Sequence, residues 1–218
     1  KNIFTVFDEI KVGMGRSGNG NLFYFEKEDV VPDVVTISKA LGGGKRAIGA
    51  MITSKKLFKL AYGTRDDCAL HSSTFSGIGE SCAVAIETLN YISNKSFLND
   101  VDNKAILFKD KLESLKQKHP KYIKSIKGEG LFLGIEFDFG WISKIADISK
   151  SKKISKLANG LGIAAIVRSM FQDYDVLVHF TGSSPNVMHL MPPLIISEGE
   201  IDEFLTALQK MLNNSFEL

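Results

Sequence analysis

The sequence is poor in cysteine and has no long apolar run. Its only cysteines, Cys68 and Cys82, have a spacing that matches neither a metal site nor a disulfide framework. This scarcity favours a reducing compartment, so we expect a cytoplasmic protein. No apolar stretch reaches the roughly 20 residues of a membrane-spanning helix. Residues Lys1 to Ile10 lack the cleavage pattern of a signal peptide.

An excess of charge of one sign is also lacking. The formal net charge of the 218 residues is +2, so composition gives no argument for nucleic acid or an anionic membrane as a partner. Hydrophobic residues make up 44% of the chain and charged residues 24%, which is ordinary for a globular protein. The length is enough for one large domain or two small ones.

The most informative stretch runs from Val31 to Ala50. Its β-favouring residues predict a short buried strand over Asp33 to Ile37, followed by Lys39 and three glycines that begin at Gly42. A lysine is rarely buried without a partner. Lys39 could therefore form a Schiff base with a carbonyl compound. The alternative is that its side chain extends into solvent beside a flexible turn.

A second apolar run, Phe4 to Ile10, places Asp8 near its end. Asp8 and Lys39 are 31 residues apart (39 − 8), which leaves room for a crossover between two strands. Ligands of open α/β sheets bind at the carboxyl ends of strands. An acid and a lysine at such ends match the needs of pyridoxal 5'-phosphate (PLP), whose pyridinium nitrogen pairs with an acid and whose aldehyde joins a lysine.

The segment Phe7 to Ala50 resembles the signature of the class III, or omega, aminotransferases of PLP fold type I. It contains an Asp-Glu pair, a Gly-x-Gly-Arg turn, a Pro-Asp, a Ser-Lys-Ala and a glycine run in the order of that signature. Further matching motifs are His71 to Gly77, Lys127 to Phe137 and Leu190 to Asp202.

The resemblance implies an α/β fold. Residues 1–94 would be the C-terminal part of a three-layer, mostly parallel PLP-binding large domain, and residues 95–218 a small α+β C-terminal domain. Family members are longer, and this chain resembles their C-terminal half. The phosphate cup and the aromatic residue that stacks on the ring would then lie outside it, and the chain would be a fragment, a split gene product or one piece of a larger protein.

The resemblance also implies a reaction, transamination from an amine or amino acid to a keto acid or aldehyde. Lys39 would hold PLP as an internal aldimine and then act as general acid and base. Asp8 would pair with the pyridinium nitrogen, and Ile10 would pack on the ring. Lys11 stands where many relatives carry a Gln that contacts the ring oxygen, and it could donate a hydrogen bond there.

Small hydroxyl residues precede a helix that we predict over Gly79 to Ile92. By themselves they suit either a phosphate or a simple N-cap. The resemblance implies that Thr74 binds the cofactor phosphate of the neighbouring subunit, which requires a homodimer. His71 could face the substrate entrance or have a structural role.

His189 bears on the substrate. Many relatives carry Arg at this position, two residues before Met191, where it binds a substrate carboxylate through two hydrogen bonds. A neutral imidazole cannot make that contact. We therefore expect weaker selection for an α-carboxylate, which makes an amine or aldehyde on an apolar chain more plausible.

Periodicity predicts the remaining elements. We expect the helix over Gly79 to Ile92 to be mostly buried and Leu131 to Phe137 to be a half-buried strand. The resemblance implies that Arg16 is an internal anchor of the glycine-rich turn. Glu136 would be a structural acid, or it could reach a cationic group. Further predictions are strands at Asn2 to Ile10, Tyr122 to Lys127, Asp175 to Phe180 and Val187 to Met191, and a loop at Phe139 to Lys153 with Trp141. Predicted helices are Lys55 to Tyr62, which Ser54 could cap, Phe97 to His119, Ile154 to Phe171, and a final helix that follows a capping box at Ser197 to Glu200.

Two other functions stay open. Mutases, racemases and decarboxylases of the same fold share the Asp and the Lys. The chain could also be a non-catalytic half that dimerises or complements an N-terminal partner.

Overall fold

The computed structural model describes residues 3–140 and 152–216. Contacts divide the chain into two compact units, Lys1–Asp102 and Asn103–Leu218. The division falls inside the helix α3, Lys95–Lys118. The domain boundary after residue 94 stays a prediction.

The first unit is built on a mixed sheet. Strand β2 is central, with β1 parallel on one side and β3 antiparallel on the other. Single 3-10 turns lie at Tyr24–Glu26 and Lys39–Gly42. The strands and helices are β1 (Val6–Asp8), β2 (Val34–Ile37), β3 (Ala50–Thr53), α1 (Lys55–Tyr62), α2 (Gly79–Ile92) and the start of α3.

Only one face of this sheet is well covered by the described residues. Val35 and Ile37 are buried with Met14 on one side, in a core to which α2 contributes Ala85 and Ile92. On the other face, Val6 is 62% exposed. The expected strand over Asn2 to Ile10 is confirmed in type, but it is shorter and largely exposed.

The expectation that α2 is mostly buried is wrong. Ile86 and Tyr91 are 57% and 62% exposed, whereas Ala85 and Ile92 are buried. The physical reason is that α2 packs on the turn Lys39–Gly42 with one side only. An apolar pattern all around a helix does not say which sides have neighbours.

The second unit contains an antiparallel sheet of order β4-β5-β7-β6. Strand β5 is an inner strand between β4 and β7, and every residue from Leu133 to Phe137 is buried, so side chains on both faces of the strand are covered. The expectation of a half-buried strand is therefore wrong. The elements are β4 (Ile123–Glu129), β5 (Phe132–Phe137), α4 (Lys152–Tyr174), β6 (His179–Phe180), β7 (Val187–Leu190) and α5 (Glu198–Phe216).

Two predicted helix starts are confirmed in atomic detail. The Ser54 hydroxyl accepts a hydrogen bond from the Leu57 amide at 3.2 Å, at the start of α1. The capping box before α5 is present, because the Ser197 amide donates to Glu200 Oε2 at 2.7 Å and the Glu200 amide donates to Ser197 Oγ at 3.2 Å. Sequence rules for helix starts rest on such local contacts.

Two predictions on loops and strands turn out differently. The expected strand Asp175 to Phe180 is reduced to β6, and most of the expected loop with Trp141 lies outside the described residues. Among the helices of residues 3–140 and 152–216, none is both long and apolar enough to cross a membrane.

Candidate cofactor site

Asp8 and Lys39 lie at the same edge of the first sheet. Asp8 is the last residue of β1, and Lys39 follows the end of β2 by two residues. The two strands are parallel, with Asp8 in register with Thr36. The structure therefore brings both predicted residues to the carboxyl ends of neighbouring strands, where ligands of such sheets bind.

The carboxylate of Asp8 is exposed, and among the described residues only one of its two oxygens accepts hydrogen bonds. Oδ1 accepts a hydrogen bond from the Ile10 amide at 3.0 Å and one from Thr36 Oγ1 at 3.4 Å. Oδ2 has no hydrogen-bond partner in the described part of the chain. The apolar run Phe4 to Ile10 suggests a buried strand, but β1 is largely exposed and, in the described part of the chain, pairs with β2 alone at the edge of the sheet.

Lys39 is exposed, and its amine has no hydrogen-bond or ion-pair partner among residues 3–140 and 152–216. Exposure by itself fits the solvent-directed alternative. However, Lys39 has a φ of 48°, in the left-handed region that costs a non-glycine residue about 1–2 kcal/mol. Strain of this kind is found at functional sites, which supports the Schiff-base interpretation of Lys39.

Residues on both sides of Lys39 fix the position of the turn that carries it. Ser38 Oγ donates to the carbonyl of Ile48 at 2.7 Å. Gly43 has a φ of +56°, and a Cβ there would lie 2.6 Å from Thr88 Oγ1 on α2. Only glycine lets the turn approach the helix this closely. The glycine run thus fixes the backbone of the lysine.

Glu9 is a structural residue that sequence reasoning missed. It is 2% exposed, and its two carboxylate oxygens accept the amides of Tyr24 and Phe25, each at 3.1 Å. Successive strand residues point to opposite faces, so an Asp-Glu pair at a strand end places one acid outside and one inside. That alternation is the signal that could have identified Glu9.

The glycine-rich turn after β1 contains a buried cation. Arg16 is 9% exposed, in agreement with a structural role, and desolvation by burial lowers the pKa of its guanidinium. Of the predicted ring contacts, Ile10 is half-buried, and the side chain of Lys11 is exposed. Both follow Asp8 directly.

Thr74 lies in an exposed loop before α2. Its hydroxyl has no partner in the part of the chain that the structure describes. The N-cap of α2 is Ile78, which makes no side-chain cap hydrogen bond, so the simple N-cap alternative for the hydroxyl residues is wrong. His71 Nδ1 lies 3.3 Å from Tyr62 Oη, which is a structural contact.

His189 is on β7 of the second unit. Gly134 of β5 and His179 of β6 are its register partners, and its ring centroid lies 5.4 Å from that of Phe132. The surroundings of the imidazole are thus partly aromatic, and a side chain is lacking on the Gly134 side.

Comparisons with known proteins all identify the same family. The family model described as aminotransferase class-III matches residues 1–212. The chain is 35% identical to an acetylornithine aminotransferase of Caldanaerobacter subterraneus subsp. tengcongensis, over 97% of the chain and 45% of that protein. It is 34% identical to an acetylornithine aminotransferase of Methanocaldococcus jannaschii, over 97% of the chain and 44% of that protein.

Solved structures show the fold. The ornithine aminotransferase of Toxoplasma gondii superposes with a TM-score of 0.77 at 24% identity, over 99% of this chain and 44% of that one. A Bacillus anthracis aminotransferase gives a TM-score of 0.73 at 24% identity, over 95% and 44%. The chain spans less than half of the length of the curated relatives and solved structures cited here.

Proposed function

Because the chain belongs to the class-III aminotransferase family, we propose that the protein containing it transfers an amino group from an amine or amino acid to a keto acid or aldehyde. The cofactor of this family is PLP. The observation that carries the proposal is the placement of Asp8 and Lys39 at the carboxyl ends of neighbouring parallel strands. Asp8 Oδ2 and Lys39 Nζ both have no hydrogen-bond partner among the described residues.

The cofactor, when bound, supplies the electron sink for chemistry at the carbon that carries the amine. Lys39 Nζ is the amine that would attach it as a Schiff base and would afterwards carry a proton to and from the substrate carbon. The Asp8 carboxylate would hold the positive ring nitrogen. Ile10 would pack on the ring, and Lys11 would donate to the ring oxygen.

The phosphate would be bound by Thr74 of the neighbouring subunit in a cytoplasmic homodimer. Three features support this part of the proposal: the hydroxyl has no described partner, its loop is exposed, and α2 behind it begins without a side-chain cap. Free amides at a helix start and a hydroxyl beside them suit a phosphate.

The site would select only weakly for substrates that carry an α-carboxylate. His189 stands where many relatives have Arg, and its ring lies beside Phe132, so this position is partly apolar. We expect an amine or aldehyde on an apolar chain to be accepted. A strong preference for 2-amino acids over simple amines would contradict this part.

The test of the function is turnover by Lys39→Ala with Lys45→Ala as control. Lys45 is also exposed, lies in the same glycine-rich segment and has no described side-chain partner. We expect Lys39→Ala to lose steady-state transamination and Lys45→Ala to retain it. Transamination retained in Lys39→Ala would overturn the assignment. Product analysis for a released keto acid or aldehyde separates transamination from mutase, racemase or decarboxylase chemistry.

A further inference from the structure

The two oxygens of Asp8 are not equivalent, and the difference points to a residue to which the family resemblance assigns no role. We propose that Thr36 is a positioning residue that holds Asp8 Oδ1, so that Oδ2 is the oxygen presented to the ring nitrogen of the cofactor. This inference rests on the proposed function, because it concerns how the same carboxylate meets PLP.

The pairing of strands β1 and β2 places Asp8 and Thr36 next to each other. Asp8 and Thr36 are register partners on the parallel strands β1 and β2, and residues in register point to the same face of a sheet. The contact therefore follows from strand pairing rather than from one side-chain rotamer. Thr36 is half-buried, so it is neither a core residue nor fully solvated.

A carboxylate at this place needs a partner to fix its plane. The terminal torsion of an aspartate is broad, with no strongly preferred value. The Ile10 amide and the Thr36 hydroxyl both donate to Oδ1, at 3.0 Å and 3.4 Å. With Oδ1 engaged from two directions, the plane of the group is set and Oδ2 is left for a ligand. The longer distance is at the weak end for a hydroxyl donor, so a moderate effect is expected.

The experiment compares affinities for two ligands: PLP, and a deaza analogue of PLP that has a carbon in place of the ring nitrogen. Thr36→Val removes the hydroxyl and keeps the shape of the side chain. It should weaken PLP binding about threefold to tenfold and leave the affinity for the deaza analogue unchanged. Thr36→Ser, which restores a hydroxyl, should restore PLP affinity.

Thr53→Val is the matched control. The Thr53 hydroxyl donates to the carbonyl of Asp33 at 2.8 Å, on β3 of the same sheet. Its loss should lower the thermal midpoint of unfolding and leave the ratio of the two affinities unchanged. A merely structural threonine would lower both affinities together.

The outcomes are distinct. Equal PLP affinity of the wild type and Thr36→Val overturns the role of Thr36 and leaves the proposed function in place. A parallel loss for PLP and its deaza analogue, or the same change of ratio in Thr53→Val, also overturns it. If the complete wild-type protein that contains this chain takes up no PLP, the proposed function itself is overturned.

Discussion

Asp8 in the first unit and Glu136 in the second are both carboxylates on strands, but their surroundings are opposite. Glu136 is buried on β5, and both of its oxygens are engaged. Lys127 Nζ and Ser125 Oγ lie 2.8 and 2.7 Å from Oε2, and Lys124 Nζ lies 3.0 Å from Oε1. Asp8 is exposed, and its Oδ2 has no described partner.

The difference separates a group that stabilises the fold from one that we propose binds a ligand. Buried polar groups are normally satisfied within the protein, and Glu136, which also accepts from Asn186 at 3.3 Å, meets that rule. Asp8 Oδ2 and the Lys39 amine, at one sheet edge, have no hydrogen-bond partner among the described residues, so both are available to a ligand. We infer that changes at Asp8 alter ligand binding, whereas changes at Glu136 alter stability.

The largest expected effect that tests this contrast is that of Asp8→Asn. The amide keeps an oxygen for the Ile10 amide but cannot hold a positive ring nitrogen by charge. Turnover should fall about 10²- to 10³-fold, the usual result of removing one electrostatic contact from an active site. The free energy of unfolding should change by less than about 0.5 kcal/mol, because Asp8 is exposed.

The measurement is steady-state transamination together with urea unfolding of the same preparation. Unchanged turnover would remove Asp8 from the site. A large loss of stability would show that Asp8 resembles Glu136 after all and would break the contrast.

The intermediate effect is that of Glu136→Gln. The hydrogen bond from Lys127 is the largest of several that lower the pKa of Glu136 from 4.5 to about 2. Because the folded pKa lies below the unfolded one, the ionised carboxylate stabilises the fold above pH 4.5, and this stabilisation is lost as the pH falls from 4.5 towards 2. At neutral pH the variant should be less stable by about 1–3 kcal/mol.

Urea unfolding at a series of pH values measures this difference. It should shrink between pH 4.5 and about 2, the window between the two pKa values. Glu203→Gln is the control, because Glu203 is exposed on α5 and has no partner among the described residues. A pH-independent difference for Glu136→Gln, or a change in its PLP affinity, would contradict the account.

The smallest effect is expected for Lys124→Gln, within the same cluster. The side chain of Lys124 is 60% exposed, and exposed ion pairs contribute little to stability. Lys127 and Ser125 still hold Glu136 when Lys124 is replaced. The free energy of unfolding of Lys124→Gln should therefore be lower than that of the wild type by at most about 1 kcal/mol. A loss as large as that of Glu136→Gln would mean that one lysine alone stabilises the carboxylate.

The placement of Asp8 and Lys39 at the same edge of the sheet could be predicted because it depends on local features. Each residue follows a short apolar run, and parallel strands separated by a crossover bring their carboxyl ends together. The starts of α1 and α5 were equally predictable, since a cap involves residues three apart in the chain.

Burial could not be predicted in the same way, because it depends on neighbours that are distant in the chain. Strand β5 alternates like a half-buried strand, but its residues from Leu133 to Phe137 are buried on both faces of the sheet. Helix α2 has apolar residues on all sides, although only one side meets the turn Lys39–Gly42. The role that we propose for Thr36 needed the register of β1 and β2, which no local pattern specifies.

The most direct test of the central claim is to add PLP to the purified protein, reduce the mixture with borohydride and locate the modified lysine by peptide mapping. The account predicts a yellow complex in which reduction fixes the cofactor on Lys39 and on no other lysine. Modification spread over exposed lysines such as Lys45, with Lys39 no more reactive than the rest, would contradict it.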